Sequence, residues 1–507
     1  MKIISMYLPQ FHRVKENDEW WGEGFTEWRA VKKAEKLFPE HYQPRVPLGN
    51  RYYDLMEKDT MQWQADIMKQ YGVDAQCFYH YWFKDGRRIL EKPAENLLQW
   101  QDVDMPFCFC WANDAWARTW SKLSNKNVWA NTFEEQKEEN DSGILLEQNY
   151  GNEEQWRNHY IYLLSFFKDQ RYIKIQNRPV FMIYSSTLIW CLNEMLDKWS
   201  RWARQDGFDG IYYIGVDNRC SEKEVFQAVL NLEPLYVRKI FDFKSSARKN
   251  FLRIDYDEAW SEMLKSQATS ENMLYSALVG YDDTPRRGKE GTIIENATPE
   301  KFQQYLTELI AKNMANNNEL IFINAWNEWG EGMHLEPDEK YGYGYLEAVK
   351  YAKEHYTEYL DKYKNMNQYK NDALQKEVEF WSAKSARYEG YWRILDAWLC
   401  LKEEHISVDT YFIDRGIYSI AIYGLGMLGK HLLNELDNSQ LKIAYGIDRK
   451  SDALHMDMRI YTLDDELPEV DMIVVTTTYA YVDIVRQLQK KGCKNVVSLE
   501  EVIMELV

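Results

Sequence analysis

Apolar runs alternate with amphipathic segments along the first 350 residues of this 507-residue chain. Most of the runs are apolar throughout, which is typical of parallel strands buried on both faces. We predict eight strands, at 2–8, 73–82, 106–111, 179–184, 210–216, 235–237, 275–279 and 320–325, and helices that include 59–71, 155–167, 188–205, 223–230 and 299–313. This alternation favours an α/β fold, either an open doubly wound sheet or a closed (β/α)8 TIM barrel.

Polar and aromatic residues come directly after the first, second, third, seventh and eighth predicted strands. In a barrel, the carboxyl ends of all the strands open on one face, and active sites are built there. We therefore predict a (β/α)8 barrel for residues 1–350.

The rest of the chain is predicted to form two further segments. Residues 351–415 are rich in charged and amide side chains and contain no proline, which predicts a helical linker. Apolar residues recur there at helical spacing and predict a packing face: Val378, Trp381, Tyr388, Trp392, Leu395 and Leu399. Residues 416–507 are predicted to form a small Rossmann-like α/β domain.

The sequence Gly424-Leu-Gly-Met-Leu-Gly429 lies between a predicted strand and a predicted helix of that domain. In this context Gly424, Gly426 and Gly429 would admit a pyrophosphate at the helix N-terminus, and Asp448 would bind a ribose hydroxyl. The ligand would be a nucleotide or a nucleotide-sugar. The alternative is an accessory domain without a ligand, because the unit is too small to carry a substrate domain of its own.

Composition excludes some functional classes. The formal net charge is −18 and no basic tract stands out, so nucleic acid is not an expected partner. No apolar run is long enough to cross a bilayer, and the first one meets Pro9 too early for a signal peptide. The seven cysteines lie mostly in apolar contexts and are expected to be reduced. Together these features predict a cytoplasmic protein.

The last predicted strand runs into Trp326-Asn-Glu-Trp-Gly-Glu-Gly332. Aromatic faces suit sugar rings, and paired carboxylates suit glycosidic chemistry, in which an acid and a base or nucleophile flank the bond. Glu328 and Glu331 are therefore the predicted catalytic residues. The alternatives are an acidic loop beside surface tryptophans, or a helix-capping role for one of the two. The 20 Trp and 36 Tyr residues indicate both a thick aromatic core and a carbohydrate cleft.

Several long motifs resemble those of WbsX-like proteins, which belong with glycoside hydrolase family 99 and its relatives. They are Tyr7-Leu-Pro-Gln-Phe-His12, Trp20-Trp-Gly-Glu-Gly-Phe-Thr-Glu-Trp28, His41-Tyr-Gln-Pro-Arg45, Phe78-Tyr-His-Tyr-Trp-Phe83, Cys110-Trp-Ala-Asn113, Thr284-Pro-Arg-Arg-Gly288 and Asn324-Ala-Trp-Asn-Glu-Trp-Gly-Glu-Gly332. One segment departs from the pattern: Asn113-Asp-Ala-Trp116 stands where the resemblance leads us to expect Asn-Glu-Asn-Trp.

The resemblance implies a barrel and retaining chemistry on α-linked mannose-type glycans, without a covalent glycosyl-enzyme. It implies that Glu328 is the base that deprotonates the sugar 2-hydroxyl, which then attacks the anomeric carbon to give a 1,2-anhydro sugar. It implies that Glu331 protonates the leaving oxygen and then activates water or an acceptor.

Further residues after the strands are predicted to bind substrate: Glu27, Tyr79, His80, Trp111, Asn113, Trp116, Trp326, Asn327 and His334. Glu27 could instead cap a helix, and whichever of Tyr79 and His80 faces inward would line the cleft. His334 and Glu336 could close the cleft wall. Arg286 and Arg287 are expected to be a solvated surface pair; the alternative is a site for a phosphorylated or acidic glycan.

Two functions follow from these predictions. The first is a retaining glycosidase or transglycosylase. The second is a cytoplasmic glycosyltransferase of surface-polysaccharide synthesis (lipopolysaccharide or capsule), which would act beside other polysaccharide-assembly enzymes. A barrel that binds glycans without activity is a third class, and the intact pair Glu328 and Glu331 argues against it. No metal is expected, and the barrel is expected to need no cofactor.

Overall fold

The computed structural model describes residues 1–117, 122–123, 126–127, 144–220, 225–244, 252–268, 272–449, 458–478 and 481–507. It divides into two compact units, Met1–Asn367 and Gln368–Val507. All seven cysteines are free thiols. In the described part of the chain, no helix is both long enough and apolar enough to span a bilayer.

Eight parallel strands form a closed barrel in the first unit. They are β1 (Lys2–Tyr7), β2 (Ala75–His80), β3 (Phe107–Trp111), β4 (Arg178–Ile183), β5 (Tyr212–Val216), β6 (Ala228–Asn231), β7 (Met273–Leu278) and β8 (Leu320–Asn324). Each strand pairs with its neighbours in chain order, and β8 pairs with β1 to close the ring. Every residue of β3 and β8 is buried, as expected for strands covered on both faces. The prediction of a (β/α)8 barrel is confirmed.

Helices follow the strands around the barrel and in its loops. Those of at least seven residues are α1 (Lys15–Trp21), α2 (Glu27–Lys33), α3 (Lys58–Tyr71), α4 (Lys92–Gln99), α5 (Glu153–Phe167), α6 (Leu192–Gln205), α7 (Leu235–Lys244), α8 (Tyr256–Lys265), α9 (Pro299–Ala315), α10 (Gly344–His355) and α11 (Thr357–Glu403). Short strands in the loops include Leu252–Asp255, Tyr281–Asp282, Thr292–Glu295, Asn327–Glu328 and Met333–His334.

Two sequence predictions near the sixth strand are wrong. The segment predicted as helix 223–230 contains β6, and residues 223 and 224 lie outside the described residues. The segment predicted as strand 235–237 begins the helix α7. All four residues of β6 are buried and pair with β5 and β7, so this tertiary pairing outweighs the local preference.

The second unit contains a five-stranded parallel sheet. Its strands are β9 (Ser419–Tyr423), β10 (Lys442–Ile447), β11 (Ile460–Tyr461), β12 (Met472–Val475) and β13 (Val496–Ser498), in the order β11-β10-β9-β12-β13. This is the order of a doubly wound sheet, with a topological switch beside β9. The helices α12 (Asp409–Ile413), α13 (Met427–Leu436), α14 (Tyr481–Lys490) and α15 (Leu499–Met504) complete the unit.

The helix α11 carries the predicted packing face, but the structure leaves most of it exposed. Trp381, Tyr388 and Trp392 are 53%, 59% and 66% exposed, and Val378 and Leu399 are exposed as well. Within the described residues, only Leu395 of this set packs against a core. The prediction of a packing face is therefore wrong for the other five residues.

Candidate active site

The two predicted catalytic glutamates lie on a short hairpin that follows β8. Asn327–Glu328 pairs antiparallel with Met333–His334, and Trp329–Glu331 forms the turn between them. Gly332 ends the turn with φ 64°, a left-handed conformation that favours glycine. Asn327 anchors the hairpin to the end of β1, since its side chain accepts from Leu8 N at 2.7 Å and donates to Leu8 O at 3.0 Å. Neither glutamate caps a helix through its side chain.

A cavity of about 320 Å³ opens at the carboxyl ends of the barrel strands and is lined by both glutamates. We call it the glutamate cavity. Its aromatic lining consists of Trp21, Tyr79, Tyr81, Trp116, Tyr184 and Tyr281. Its polar lining includes Gln10, Asp114, Arg219, Glu233, Arg238, Arg286 and Arg287. Rings on the walls and carboxylates at one side match the shape and chemistry of a sugar-binding cleft.

Arg286 joins three carboxylates in this cavity. Its Nη1 donates to Glu331 Oε1 at 2.5 Å and its Nη2 to Glu328 Oε2 at 3.0 Å. Its Nε donates to Glu27 Oε1 at 2.9 Å, and Glu27 is fully buried. The guanidinium therefore fixes the two catalytic candidates relative to each other and to Glu27. The expectation that Arg286 belongs to a solvated surface pair is wrong.

The single positive charge of Arg286 cannot balance three ionised carboxylates, so the group of four side chains would carry a net negative charge. Burial raises the pKa of Glu328 to about 8; Arg286 opposes the rise, and the charges of Glu331 and Glu27 add to it. Burial lowers the pKa of Arg286, but the three carboxylates outweigh burial, and the net shift is well above the ordinary value. The carboxylate group as a whole therefore holds a proton near neutral pH.

Tyrosine hydroxyls face the same cavity. Burial raises the pKa of Tyr81 well above its ordinary value, and the charge of Glu328 raises it further. Burial and Glu331 act in the same way on Tyr281. Both hydroxyls stay protonated. That of Tyr81 can donate a hydrogen bond to a sugar oxygen, whereas that of Tyr281 already donates to Asp283 Oδ2 at 2.9 Å.

Three residues predicted to bind substrate lie outside the glutamate cavity. His80 Nε2 lies 2.8 Å from His159 Nε2 of α5, and burial lowers the pKa of His80 to about 3. Trp111 donates to Trp82 O at 3.1 Å and packs against His159 and Trp199. Asn113 bonds Ser185 N and Ser185 O at 2.8 Å each. They hold the barrel to its loops and helices.

Three more residues predicted to bind substrate do not line the glutamate cavity: Trp326, Asn327 and His334. Trp326 and Trp329 donate to the two oxygens of Glu336, which is fully buried and also accepts from Tyr53 and Gln64. His334 stacks on Trp329 with 3.8 Å between ring centroids. This network supports the hairpin from behind.

Glu27, Tyr79, Trp116, Glu328 and Glu331 are the predicted site residues that the structure brings together. Asp114, at the departure from the family pattern, also lines the cavity and pairs with Arg219 Nη1 at 2.9 Å. Three residues of the cavity lining, Tyr81, Tyr184 and Glu233, were not predicted from the sequence, and Arg286 was predicted to be a solvated surface residue. Tyr81 could have been predicted, because it lies two residues after the predicted site residue Tyr79.

A larger cavity of about 660 Å³ lies beside the hairpin and contains neither glutamate. The candidate active site is the glutamate cavity, because of these two cavities only that one is lined by Glu328 and Glu331. Within the described residues, no group of three His, Cys, Asp or Glu side chains could hold a metal ion.

The glycine-rich turn of the second unit joins β9 to α13. Gly424 has φ 90°, and a Cβ on Gly429 would lie 2.1 Å from Gly424 O. A Cβ on Gly426 would meet no atom within 4 Å, so this face of the turn is open for a ligand. Asp448 Oδ2 accepts from Leu425 N at 2.8 Å, which places the carboxylate against the turn. These residues fit a nucleotide at the helix N-terminus.

Comparison with solved structures finds remote likenesses. A GH99 endo-alpha-mannosidase from Bacteroides thetaiotaomicron aligns with 14% identity and a TM-score of 0.42, over 70% of this chain and 97% of that protein. A structure titled glycoside hydrolase-like protein aligns with 14% identity and a TM-score of 0.41, over 69% of this chain and 93% of the other. Similarity at this level does not transfer an activity to this chain.

Curated relatives are closer in sequence. The uncharacterized protein WxcX from two strains of Xanthomonas campestris pv. campestris is 31% identical over 366 residues, which cover 69% of this chain and 49% of WxcX. The chain thus spans about half the length of the curated relatives that it matches. The family model described as Glycosyltransferase WbsX matches residues 3–349, the whole of the barrel. The chain therefore belongs to the WbsX glycosyltransferase family.

Proposed function

We propose that the barrel is a carbohydrate-active enzyme that cleaves or transfers α-linked mannose-type residues, with Glu328 as base and Glu331 as acid/base. The observation that carries the proposal is the single cavity in which both carboxylates, bridged by Arg286, face a set of aromatic rings. The mannose preference and the participation of the 2-hydroxyl rest on the resemblance of the sequence motifs.

In the proposed reaction, Glu328 takes the proton of the sugar 2-hydroxyl and O2 forms a bond to C1. The bond from C1 to the leaving oxygen breaks as Glu331 gives that oxygen its proton. Water or an acceptor hydroxyl then attacks C1 and passes its proton to Glu331. The C1–O2 bond opens, and O2 recovers its proton from Glu328. Atoms and charges balance, and both carboxyls return to their starting states.

The proton that the reaction needs is already held by the carboxylate group. Burial and neighbouring charge keep a proton in the cavity near neutral pH. Because the two glutamates share one guanidinium, that proton belongs to the pair, and the proposed roles require it on Glu331 when substrate is bound.

Leaving-group chemistry tests the roles. Glu331→Gln should lose activity on an α-mannoside with an alkyl leaving group but still release fluoride from an α-mannosyl fluoride, whose leaving group needs no protonation. The second step, in which Glu331 activates water, should then be slow. Glu328→Gln should lose both, because the base is needed with either substrate. If Glu328→Gln kept the fluoride reaction and Glu331→Gln did not, the roles would be exchanged. Wild-type activity in both variants would refute the site.

A second candidate is a glycosyltransferase of surface-polysaccharide assembly, which the description of the family favours. Incubation of the full chain with α-mannoside oligosaccharides and, separately, with nucleotide-sugars plus acceptor distinguishes the two. Free sugar from oligosaccharide alone supports the glycosidase, and an acceptor extended only from nucleotide-sugar supports the transferase.

For the second unit we propose a bound nucleotide or nucleotide-sugar at Gly424, Gly426, Gly429 and Asp448. Titration calorimetry with nucleoside diphosphates should show binding that Gly426→Val abolishes, because a branched side chain would fill the open face of the turn. Equal binding by this variant would contradict the proposal.

A cytoplasmic location beside other polysaccharide-assembly enzymes is a further proposal, tested by cell fractionation and by co-purification with those enzymes.

A further inference from the structure

The cavity of about 660 Å³, which we call the second cavity, shares a wall with the glutamate cavity. Two segments, 280–282 and 331–334, form the wall. Tyr281, Glu331 and Met333 line the glutamate cavity, whereas Gly280, Asp282, Gly332 and His334 line the second cavity. In the short strands Tyr281–Asp282 and Met333–His334, neighbouring side chains point to opposite sides, so one wall serves two cavities.

Arg45 occupies this wall on the side of the second cavity. A Cβ on Gly332 would lie 3.0 Å from Arg45 Nη2, so the guanidinium rests against the residue that follows Glu331. Its Nε is buried without a hydrogen-bond partner, and no ion pair joins Arg45 to a carboxylate among the residues that the structure describes. Arg286, on the other side of the same turn, has three carboxylates.

His334 and Asp282 lie close to Arg45, and His334 does not neutralise its charge. Nδ1 of His334 lies 3.0 Å from Glu336 O, an acceptor, so Nδ1 carries the proton. Nε2 is then free to accept from Arg45 Nη1 at 3.5 Å. Burial lowers the pKa of His334 to about 4, so the ring is neutral at pH 7. Burial opposes the shift, but the hydrogen bond to His41 and the charge of Arg45 lower the pKa of Asp282, so Asp282 partly balances Arg45. The buried Nε of Arg45 still has no acceptor, which is costly unless a ligand oxygen supplies one.

The lining of the second cavity contains four basic side chains, Arg45, Arg253, Lys301 and Lys340, and three carboxylates, Glu40, Asp282 and Glu295. Lys340 and Arg45 both lie near the Tyr42 ring: the Lys340 Nζ is 4.5 Å and the Arg45 Cζ 5.3 Å from the ring centroid. The carboxylate of Asp282 is already held by His41, Gln43 and Thr284. Glu295 is paired with Arg253. Thr298, at the N-terminus of the 17-residue helix α9, also lines the cavity and adds the positive end of the helix dipole.

The lining also contains four aromatic side chains, which suit a sugar ring. They are Phe38, Tyr42, Tyr341 and Tyr345. The cavity is formed by the connection after β1 and by those after β7 and β8, and the last two are positions at which (β/α)8 barrels often hold phosphate. Its volume lies in the range of ordinary ligand sites.

We propose that the second cavity binds an anionic sugar residue, with its phosphate or carboxylate on Arg45 and Lys340 and its ring against the tyrosines. The site goes beyond the proposed reaction, since it is separate from the two glutamates and needs no turnover. Phosphate and carboxylate share the charge and the oxygen geometry that a guanidinium recognises.

Titration calorimetry of the full chain tests this with three probes: mannose 6-phosphate, glucuronate and neutral mannose. One or both anionic probes should bind more tightly than mannose. Arg45→Gln should weaken the anionic probe by about tenfold or more, the usual effect of losing a charge-assisted hydrogen bond. Lys340→Gln, at an exposed position that does not threaten the fold, should weaken it in the same direction.

The matched control is Arg51→Gln, which removes the same charge from the same loop while its guanidinium lies over Trp63 outside the cavity. The control should bind like wild type. Equal loss in Arg51→Gln, or anionic probes that bind no better than mannose, would overturn the proposal. Loss that follows Arg219→Gln instead would place the anion in the glutamate cavity and also overturn it. Which anion binds decides between phosphate and carboxylate.

The readout separates this proposal from the catalytic one. Binding is measured in Glu331→Gln as well as in wild type, so no substrate is consumed. A chain that binds the anion through Arg45 but cleaves and transfers no glycoside would contradict only the proposed function. A chain that turns over glycosides but ignores the anionic probes would contradict only the second site.

Discussion

Arg286 carries the positive charge shared by the three carboxylates of the glutamate cavity, and each of its three nitrogens takes part. Removing it would leave Glu27, Glu328 and Glu331 close together in a buried site without a counter-charge. Breaking a buried ion pair in this way costs about 3–5 kcal/mol of folding free energy. The residue is therefore expected to matter for stability as well as for positioning.

Arg286→Gln should lower the free energy of unfolding by a few kcal/mol and reduce turnover by about a hundredfold or more, because the carboxylates lose their common anchor. Urea denaturation and steady-state kinetics measure the two effects. Arg287→Gln is the control: it removes the same charge one residue away, where the side chain is half exposed and, among the described residues, forms an ion pair only with Asp283. Similar losses in both variants would contradict the role of Arg286.

The pH dependence of kcat/KM should reflect the raised pKa of Glu328. The pair must hold one proton for the leaving oxygen, and that proton is lost as pH rises through about 8, so activity should fall there, well above the ordinary carboxyl range. Glu27→Gln removes one of the charges that raise this pKa and should move the fall to lower pH. A fall centred near the ordinary value of about 4.3 would contradict a proton shared by the pair near neutral pH.

The motif after β8 predicts Glu328 and Glu331 as a catalytic pair, but nothing in the sequence predicts the guanidinium that joins them to Glu27. Arg286 and Glu27 are 259 residues apart in the chain, and no local pattern reports their contact. The neighbours Tyr79 and His80 show a second limit. Both stand at the end of β2, and the pleat sends Tyr79 to the cavity and His80 toward α5. Alternation predicts that the two differ, but not which of them faces inward.

At the scale of elements, the hairpin after β8 depends on a glycine in its turn. A Cβ on Gly330 would lie 1.8 Å from Glu27 Oε1. The buried carboxylate therefore occupies the space that any other residue at position 330 would need. The packing of this turn against α2 places Glu27 beside Arg286 and so completes the carboxylate group.

Gly330→Ala should displace Glu27 and lower activity by about tenfold or more, because a small misplacement of catalytic groups is costly. The double variant Gly330→Ala with Glu27→Asp should recover part of the loss, since the shorter side chain makes room for the methyl group. Initial rates of the wild type, both single variants and the double variant test this. Additive losses would show that the two positions do not compete for space.

The barrel strands were predictable because a strand buried on both faces needs a continuous apolar run. The run in β8, Leu320-Ile-Phe-Ile-Asn324, is an example. The strand β6 was not predictable in this way. Its residues Ala228-Val-Leu-Asn231 are too few to show a period, and only the gap between β5 and β7 defines them as a strand.

At the scale of the whole molecule, buried carboxyls link folding to pH. Burial raises the pKa of Glu233 to about 8, although the Val237 N–H, which donates to it at 3.1 Å, opposes the shift. The folded state therefore binds this proton more tightly than the unfolded state. The resulting stability is fully present below the unfolded pKa and is lost as pH rises through about 8.

Glu233→Gln should remove this dependence. Between pH 5 and pH 8, the wild type should lose free energy of unfolding relative to the variant by up to about 1.4 kcal/mol per pH unit. Chemical denaturation at several pH values measures the difference. Glu23→Gln, at a side chain that is 91% exposed, should run parallel to wild type. A constant difference between Glu233→Gln and wild type would show that Glu233 titrates normally.

Successive residues in the wall between the two cavities line the two cavities alternately. In 280–282 and 331–334, odd-numbered residues line the glutamate cavity and even-numbered residues line the second one. The insertion or deletion of one residue just before either short strand, Tyr281–Asp282 or Met333–His334, would exchange the sides to which its side chains point, so that residues of one cavity would line the other. Substitutions can retune each cavity separately, but a change of length in this wall alters both at once.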